Sequence, residues 1–263
     1  MKHSFWKNKV ILVTGASSGI GQAVVELLAK EECTVFAVAR TIKAKKGKSI
    51  ANVIPVVCDI TKESDLKKLV KTVSQVTDRL DILVNNAGIT AHGRMDQTSM
   101  DVFRRVFDIN FFGTVSTTLH LLDLLKKARG TVVTVSTVSG FYGIPGRVAY
   151  ASSKAALHSV FETFSIEMKS FGVGSLVLCP PYTKTSLRTS GLTAGGQPLQ
   201  EEQHKGRLLL PGDVAKHMLT SIEKKRRGIL PMDATGRFVK WMRTLAPGIL
   251  EKVLYKKLYK DFK

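Results

Sequence analysis

The sequence has few cysteines, no long apolar run and a shortage of acidic residues, and each shortage excludes a class of protein. Its three cysteines, Cys33, Cys58 and Cys179, lack the spacing of metal ligands, so we expect no metal site and reduced thiols in the cytoplasm. No stretch reaches the length of a membrane-spanning helix, and residues 1–9 lack the apolar run of a signal peptide. A chain of 263 residues, 44% of them hydrophobic, is long enough for one α/β domain with a buried core.

The shortage of acidic residues is the most unusual feature of the composition. There are 21 Asp and Glu against 40 Lys and Arg, which gives a net charge of +19 at pH 7. Such a charge suits nucleic acid, an anionic membrane surface or an anionic ligand, and it also occurs in proteins of a basic host proteome. The sequence has no nucleic-acid motif and no row of aromatic residues beside a basic groove. We therefore expect no nucleic-acid partner.

A strand, a glycine-rich turn and a helix follow one another near the N-terminus. Residues 9–14 (KVILVT) are typical of a strand buried on both faces, and a helical pattern starts at Ile20. Between them lies the turn from Thr14 to Gly21 (TGASSGIG). Glycines let the backbone approach a pyrophosphate, and a helix N-terminus offers its N–H groups to the anion. This order predicts a dinucleotide-binding unit, with an ordinary glycine turn as the alternative.

The second apolar run, residues 34–39, ends in Arg40. At this point an acidic residue would bind the ribose 2′-hydroxyl of NAD, whereas an arginine accommodates the 2′-phosphate of NADP. No Asp or Glu lies between Thr34 and Ala51, so the sequence favours NADP(H). The lysines that follow are as well explained by a solvated loop; they are Lys43, Lys45, Lys46 and Lys48.

Tyr150 and Lys154 are four residues apart, so on a helix they lie on one face. An ammonium near a phenol lowers the phenol pKa from about 10 toward neutrality. Such a pair can exchange a proton with a carbonyl or an alcohol. Taken alone, this spacing occurs by chance on many helices.

Three motifs together resemble the short-chain dehydrogenase/reductase family over nearly the whole chain: TGxxxGxG at Thr14–Gly21, NNAG at Asn85–Gly88, and Tyr150-x-x-x-Lys154. The resemblance implies a single Rossmann-type, doubly wound α/β domain, with about seven parallel strands in the order 3-2-1-4-5-6-7. It also implies hydride transfer between NADP(H) and a ketone or secondary alcohol. The family commonly forms dimers or tetramers through a long helix, expected here over residues 100–127, and the helix that carries Tyr150.

The resemblance also assigns roles to residues. Tyr150 would protonate the carbonyl oxygen, Lys154 would lower the Tyr150 pKa and hold the nicotinamide ribose, and Asn110, in the long helix, would keep a water in a proton relay. Thr137 stands where the family usually has serine and would orient the substrate oxygen. Predicted cofactor contacts are Gly15, Ser17, Ser18, Gly19, Ile20, Gly21, Arg40, Asp59, Ile60, Asn86, Ala87, Gly88, Tyr150, Lys154, Pro180, Thr183 and Thr185. Pro181 replaces the family's glycine.

The substrate side of the site has weaker signals. Ser139 could add a second hydroxyl beside Thr137, and Tyr182 lies in the predicted nicotinamide segment. For His92 a place in the substrate lining or in solvent is favoured over a general-base role. Residues 186–206, polar and glycine-containing, predict a mobile lid. The lid belongs to a catalytic domain that we expect over residues 1–235.

Residues 236–263 form a basic, amphipathic tail that Pro247 and Gly248 divide into two helices. Aromatic and basic residues on such helices are typical of an interfacial membrane anchor, while packing on the domain or on a second subunit explains the pattern equally well. A membrane-bound tail would favour a lipid-like ketone such as a 3-keto lipid, a steroid or a retinoid. The alternatives are a soluble reductase of small carbonyls and a catalytically weak NADP-binding protein, which Thr137 and Pro181 would favour.

Overall fold

A sheet of seven parallel strands forms the centre of the molecule, in the order β3-β2-β1-β4-β5-β6-β7. The computed structural model describes residues 2–42, 52–187, 191–199 and 208–258. The strands are β1 Val10–Thr14, β2 Thr34–Ala39, β3 Val53–Val57, β4 Ile82–Asn85, β5 Thr131–Val135, β6 Gly174–Cys179 and β7 Gly228–Pro231. The predicted fold class and strand order are confirmed.

Helices cover both faces of the sheet. They are α1 His3–Trp6, α2 Gly19–Leu28, α3 Glu63–Ser74, α4 Met100–Phe107, α5 Gly113–His120, α6 Leu122–Ala128, α7 Val148–Glu167, α8 Pro211–Glu223, α9 Ala234–Leu245 and α10 Pro247–Leu258. None of the helices in the described part of the chain combines the length and apolarity that crossing a bilayer requires.

Alternate side chains along each strand supply the two halves of the core. On β1, Leu12 belongs to the core cluster that contains Leu66 of α3 and Phe161 of α7. Its neighbour Val13 points to the other face and belongs to the cluster that contains Met218 of α8. Because both faces are buried, the strands read as continuous apolar runs, and their carboxyl ends are left as the edge at which polar groups can gather.

The helix expected over residues 100–127 is interrupted. The segment Asp108–Phe112, between α4 and α5, is π-helical, and α6 starts only at Leu122. Asn110 lies in this wider turn, where its amide is tied to two other segments: Nδ2 donates to Ile89 O at 2.9 Å and to Ser153 Oγ at 3.0 Å. Its Oδ1 accepts the Ile89 N–H at 2.8 Å. These contacts stabilise a turn that local helix propensity does not favour.

Two predicted features are described only in part. Within the predicted lid, Leu192 is buried and forms backbone bridges with Ala91 and Pro198. Residues 188–190 and 200–206 of the lid lie outside the described residues, as do Lys43, Lys45, Lys46, Lys48 and the last residues of the tail, 259–263. The remainder of the tail forms α9 and α10, which separate at Ala246 as Pro247 and Gly248 predict.

Candidate active site

A cleft of about 620 Å³ lies at the carboxyl ends of the strands. Nearly all the residues predicted for the site line it: Gly15, Ser17, Ser18, Gly19, Ile20, Arg40, Asp59, Ile60, Asn86, Ala87, Gly88, Thr137, Ser139, Tyr150, Lys154, Pro180, Tyr182, Thr183 and Thr185. They come from the ends of six strands, β1 to β6, and from α2 and α7, so the sheet topology brings them together. Among the predicted residues, Gly21, Asn110 and His92 do not line the cleft.

The glycine turn leaves backbone exposed where side chains would block the cleft. Gly15 and Gly19 have φ values of +63° and +58°, which only glycine adopts readily. A Cβ on Gly21 would lie 2.4 Å from Gly15 O, so Gly21 allows α2 to pack against the turn. Ser18 makes no side-chain cap at the start of α2, so the helix N–H groups face the cleft without one. These features fit the pyrophosphate of a dinucleotide.

Arg40 and Asp59 form the outer end of the cleft. Burial raises the pKa of Asp59, but hydrogen bonds from Thr61 and the charge of Arg40 outweigh it and hold that pKa below its ordinary value. The Thr61 hydroxyl donates to Asp59 Oδ1 at 2.7 Å. Asp59 is therefore a fixed carboxylate, and Arg40, an exposed cation beside it, can receive an anionic group.

At the inner end of the cleft, Tyr150 is partly buried among polar groups. Burial raises the pKa of Tyr150 to about 12, and the nearby charge of Arg147 and a hydrogen bond with Thr137 only partly oppose this rise. Burial therefore dominates the Tyr150 pKa in this structure, which local spacing does not encode, and the role assigned to Lys154 stays a prediction. A neutral phenol is suited to give a proton to a substrate oxygen.

Lys154 is buried beneath Tyr150. Its Nζ donates to Val135 O at 2.9 Å, and burial lowers its pKa to about 8. A Cβ on Gly88 would lie 3.5 Å from Lys154 Nζ and 3.0 Å from Asn110 Oδ1, so the NNAG segment passes directly over both side chains. Asn110 acts on the cleft from behind, through Ile89 and Ser153.

The end of β5 separates two adjacent hydroxyls, as the alternation of a strand predicts. Ser136 also borders the cleft, but its hydroxyl turns toward α7, where Oγ lies 2.8 Å from His158 Nε2. Thr137 lines the cleft, and the Ser139 hydroxyl donates to Thr137 Oγ1 at 3.3 Å. The predicted second hydroxyl is therefore in place beside Thr137.

The segment after β6 crosses the cleft to the glycine turn. The Thr183 hydroxyl donates to Pro181 O at 2.9 Å, which stabilises the turn that has proline in place of glycine. A Cβ on Gly19 would meet the Thr185 side chain at 3.2 Å, and Ser186 Oγ donates to Ser18 Oγ at 2.8 Å. The segment thus links the two ends of the site.

His92 is not brought to the cleft. Its backbone N–H donates to Leu192 O at 2.7 Å, and its side chain is absent from the cleft lining. The predicted place in the substrate lining therefore finds no support in this structure.

Sequence reasoning missed several residues at the substrate end. Arg147 lies three residues before Tyr150, and this spacing could have indicated that the two side chains are neighbours. Arg147 Nη1 donates to Thr90 Oγ1 at 3.0 Å. Other missed residues include Ile144, Leu187, Asp233, Thr235, Val239 and Leu254. The last two belong to the tail, and the only signal for them is the apolar spacing of α9 and α10.

The tail has one packed face and one exposed face. Leu250 is buried, Lys240 Nζ donates to Ile229 O at 3.1 Å, and Arg243 hydrogen-bonds Phe141 O. On the opposite side, Trp241 and Leu245 are 66% and 72% exposed. The expected packing on the domain is present, and an apolar stripe with basic neighbours remains uncovered in the described chain.

Comparisons with known proteins agree with this geometry. The family model for the short chain dehydrogenase matches residues 9–193. The rat Dehydrogenase/reductase SDR family member 7B is 29% identical over 99% of the chain and 84% of its own length. A short-chain dehydrogenase structure from Streptomyces avermitilis has 25% identity and a TM-score of 0.78, covering 98% of this chain and all of that one.

Two more distant structures carry different cofactors. A Burkholderia cenocepacia short chain dehydrogenase in complex with NADP is 19% identical, with a TM-score of 0.79 and coverage of 94% and 98%. A Brucella melitensis 3-ketoacyl-(acyl-carrier-protein) reductase complexed with NADH is 24% identical, with a TM-score of 0.73 and coverage of 87% and 98%. At these identities they show likeness of fold.

Proposed function

Since the chain belongs to the short-chain dehydrogenase family, and is therefore an oxidoreductase, we propose that it interconverts a ketone and a secondary alcohol with NADP(H). The observation that carries the proposal is the convergence of Tyr150, Thr137 and Lys154 at the inner end of a cleft. The glycine turn lines the same cleft. A bound nicotinamide would supply or accept the hydride there. The remaining chemistry falls to side chains of this protein.

Tyr150 is the proton donor in this proposal. Its raised pKa keeps the phenol protonated at neutral pH, so it can protonate the carbonyl oxygen as the alcohol forms. The hydroxyls of Thr137 and Ser139 orient that oxygen. Lys154 and Asn110 stabilise the segments behind it through their hydrogen bonds to Val135 O and Ile89 O. A preference for NADPH would favour reduction as the direction.

NADP(H) is proposed over NAD(H) because of Arg40. Its exposed guanidinium lines the cleft at the end of β2, where a 2′-phosphate would lie, and no acidic residue occurs between Thr34 and Ala51. The solved relatives include complexes with either cofactor, so this preference rests on Arg40 and its surroundings.

A lipid-like ketone is the proposed substrate class, such as a 3-keto lipid, a steroid or a retinoid. The support is the apolar surface at the substrate end, to which Ile144, Leu187, Val239 and Leu254 contribute. Small carbonyl compounds would leave this surface in contact with water, at a cost of about 25 cal/mol per Å².

Two further parts of the proposal concern surfaces. Exposed Phe112, Leu119 and Ile166 on and beside α5 and α7 support a homo-oligomer built through those helices. The exposed stripe of the tail (Phe238, Trp241, Leu245 and Ile249), with Arg237 and Lys252 beside it, supports contact between a cytoplasmic enzyme and an anionic membrane surface.

The first test is NADPH consumption against short ketones, a sugar-like carbonyl, a steroid ketone and a long-chain 3-keto lipid in detergent. We expect turnover of the lipid-like ketones only, weaker turnover with NADH, and a loss of about 10³-fold in kcat in Tyr150→Phe. Full activity of Tyr150→Phe would contradict the proposed role of the phenol.

The second test is sedimentation with anionic and neutral vesicles. We expect binding to anionic vesicles that Trp241→Ser weakens, while Val76→Ser, which removes an exposed apolar side chain far from the tail, leaves it unchanged. Equal sedimentation of all three proteins would limit the tail to packing on the domain.

A further inference from the structure

A cluster of three buried polar side chains lies behind the candidate catalytic residues. Ser136, His158 and Cys179 are 3%, 7% and 0% exposed. Ser136 Oγ lies 2.8 Å from His158 Nε2, and Cys179 Sγ lies 3.6 Å from the same nitrogen. The proposed chemistry uses none of these groups, yet burying them requires that they be hydrogen-bonded to one another.

Each member of the cluster is next to a different segment of the site. Ser136 directly precedes Thr137 at the end of β5, and Cys179 directly precedes Pro180 at the end of β6. His158 lies one helical turn beyond Lys154 on α7. The cluster therefore joins the three segments that carry the oxygen-orienting hydroxyl, the buried lysine and the predicted nicotinamide contacts.

Lys154 is held at both ends by the last residues of β5. Its Nζ donates to Val135 O at 2.9 Å, and its backbone carbonyl accepts from Ser136 Oγ at 3.4 Å. Because a hydroxyl has one proton, the donation to Lys154 O leaves Ser136 Oγ as an acceptor for an N–H at His158 Nε2. The chain of hydrogen bonds then runs from His158 through Ser136 to Lys154, with the Cys179 sulfur as a second neighbour of the imidazole.

The cluster is closely packed and uncharged. A Cβ on Gly140 would lie 2.7 Å from His158 Cε1, and the Phe141 ring packs on the imidazole with centroids 4.9 Å apart. Burial, and then the charges of Lys154 on α7 and of Arg243 and Lys240 on α9, lower the pKa of His158 to about 4. Burial raises the pKa of Cys179 to about 12. A closely packed hydrogen-bonded network of this kind can fix the geometry of the segments that it joins.

We propose that His158 is a positioning residue, which through Ser136 and Cys179 holds Thr137, Lys154 and Pro180 in one arrangement without contacting substrate or cofactor. The inference rests on the proposed function, because the three segments matter only if they hold the nicotinamide and the reacting oxygen. A displacement of about 1 Å at such a site can cost about 10²-fold in rate.

The test compares four variants with the wild type in kcat, KM, NADPH affinity and melting temperature. His158→Leu removes the polar contacts, His158→Gln retains an N–H donor, and Ser136→Ala breaks the link to Lys154. The control is Ser175→Ala, a buried serine on β6 whose hydroxyl has no hydrogen-bond partner among the described residues.

We expect His158→Leu and Ser136→Ala to lower kcat by about 10-fold to 100-fold, with little change in the KM of the ketone, and to weaken NADPH binding several-fold. His158→Gln should recover most of the rate, and Ser175→Ala should change neither quantity. If His158 has only a structural role, His158→Leu will lower the melting temperature and leave kcat per folded molecule unchanged. That result would overturn the proposal. If His158→Leu fails to fold, Ser136→Ala decides.

The outcome also separates this proposal from the proposed function. Full kcat and NADPH affinity in Ser136→Ala and His158→Leu, together with an inactive Tyr150→Phe, would overturn the positioning role and leave the oxidoreductase intact. If the wild type reduces no ketone, the proposed function fails. The positioning role is then tested by NADPH affinity alone. Weaker NADPH binding in Ser136→Ala but not in Ser175→Ala supports the positioning role, and equal NADPH affinities of the two variants overturn it.

Discussion

The nucleotide half of the cleft is made of strand ends, whereas its substrate half is made of helices and loops from distant parts of the chain. Gly15, Arg40 and Asn86 each follow a strand of the sheet within a few residues, and backbone contacts fix them: Asn86 Nδ2 donates to Thr14 O at 3.0 Å. Leu187 and Leu254 reach the other half from separate segments of the C-terminal third. The geometry of the nucleotide half is therefore set by the sheet. The geometry of the substrate half depends on how the tail packs on the domain.

The largest effect is expected in the nucleotide half, when a side chain fills the space beside Gly21. In Gly21→Ala the new Cβ would lie 2.4 Å from Gly15 O, so the turn or α2 must shift. We expect a loss of up to about 3 kcal/mol in the free energy of unfolding, with NADPH binding lost. Denaturant unfolding and NADPH titration measure both, and Gly143→Ala, with open space around its Cβ, is the control. Normal NADPH affinity in Gly21→Ala would contradict this account of the turn.

Acid should weaken the structure where the two halves meet. His158 has a pKa of about 4 in the folded protein and of about 6.5 when unfolded. Below pH 6.5 the unfolded chain therefore binds a proton that the folded one excludes, and stability falls as the pH drops toward 4, by up to about 3 kcal/mol. The measurement is unfolding free energy against pH, and His158→Gln should flatten the curve. An unchanged slope in that variant would assign the acid sensitivity to other groups.

Removing Arg40 tests the specificity of the nucleotide half. In Arg40→Ser we expect NADPH to bind about 10-fold to 100-fold more weakly, since charge-assisted hydrogen bonds contribute about 1.5–3 kcal/mol, while NADH affinity stays the same. Titration with both cofactors measures the ratio, and Lys68→Ser, an exposed cation on α3, is the control for overall charge. An equal loss for both cofactors would exclude a 2′-phosphate contact.

The smallest effect is expected in the substrate half. Leu254→Ala should lower kcat/KM for lipid-like ketones by about tenfold, because an apolar contact of a few methylenes is lost, and leave small ketones unaffected. Val253→Ala is the matched control, since that side chain points away from the cleft lining on the same helix. Equal losses for both substrate classes would show that Leu254 supports the fold rather than the substrate.

The same division between strand ends and distant segments determines which parts of the site the sequence predicts. The glycine turn and Arg40 follow from local patterns, because each is adjacent to a strand, whereas the strand order came from the resemblance to a known family. The π-helical turn at Asn110 depends on contacts with Ile89 and Ser153, and the raised pKa of Tyr150 depends on burial. Neither is encoded in local spacing. Leu254 reaches the cleft only because α10 packs on the domain, and the apolar spacing of the tail does not specify that long-range contact.

The place of Leu254 in the cleft has a practical consequence for handling the protein. A purification tag or fluorescent fusion joined shortly after α10 would pull on a helix that forms part of the cleft wall. On the N-terminal side, buried Trp6 is anchored to the end of α8, because its indole N–H donates to Glu223 Oε1 at 2.7 Å. Tags belong at the N-terminus, and any activity measured with a C-terminal fusion needs to be repeated after its removal.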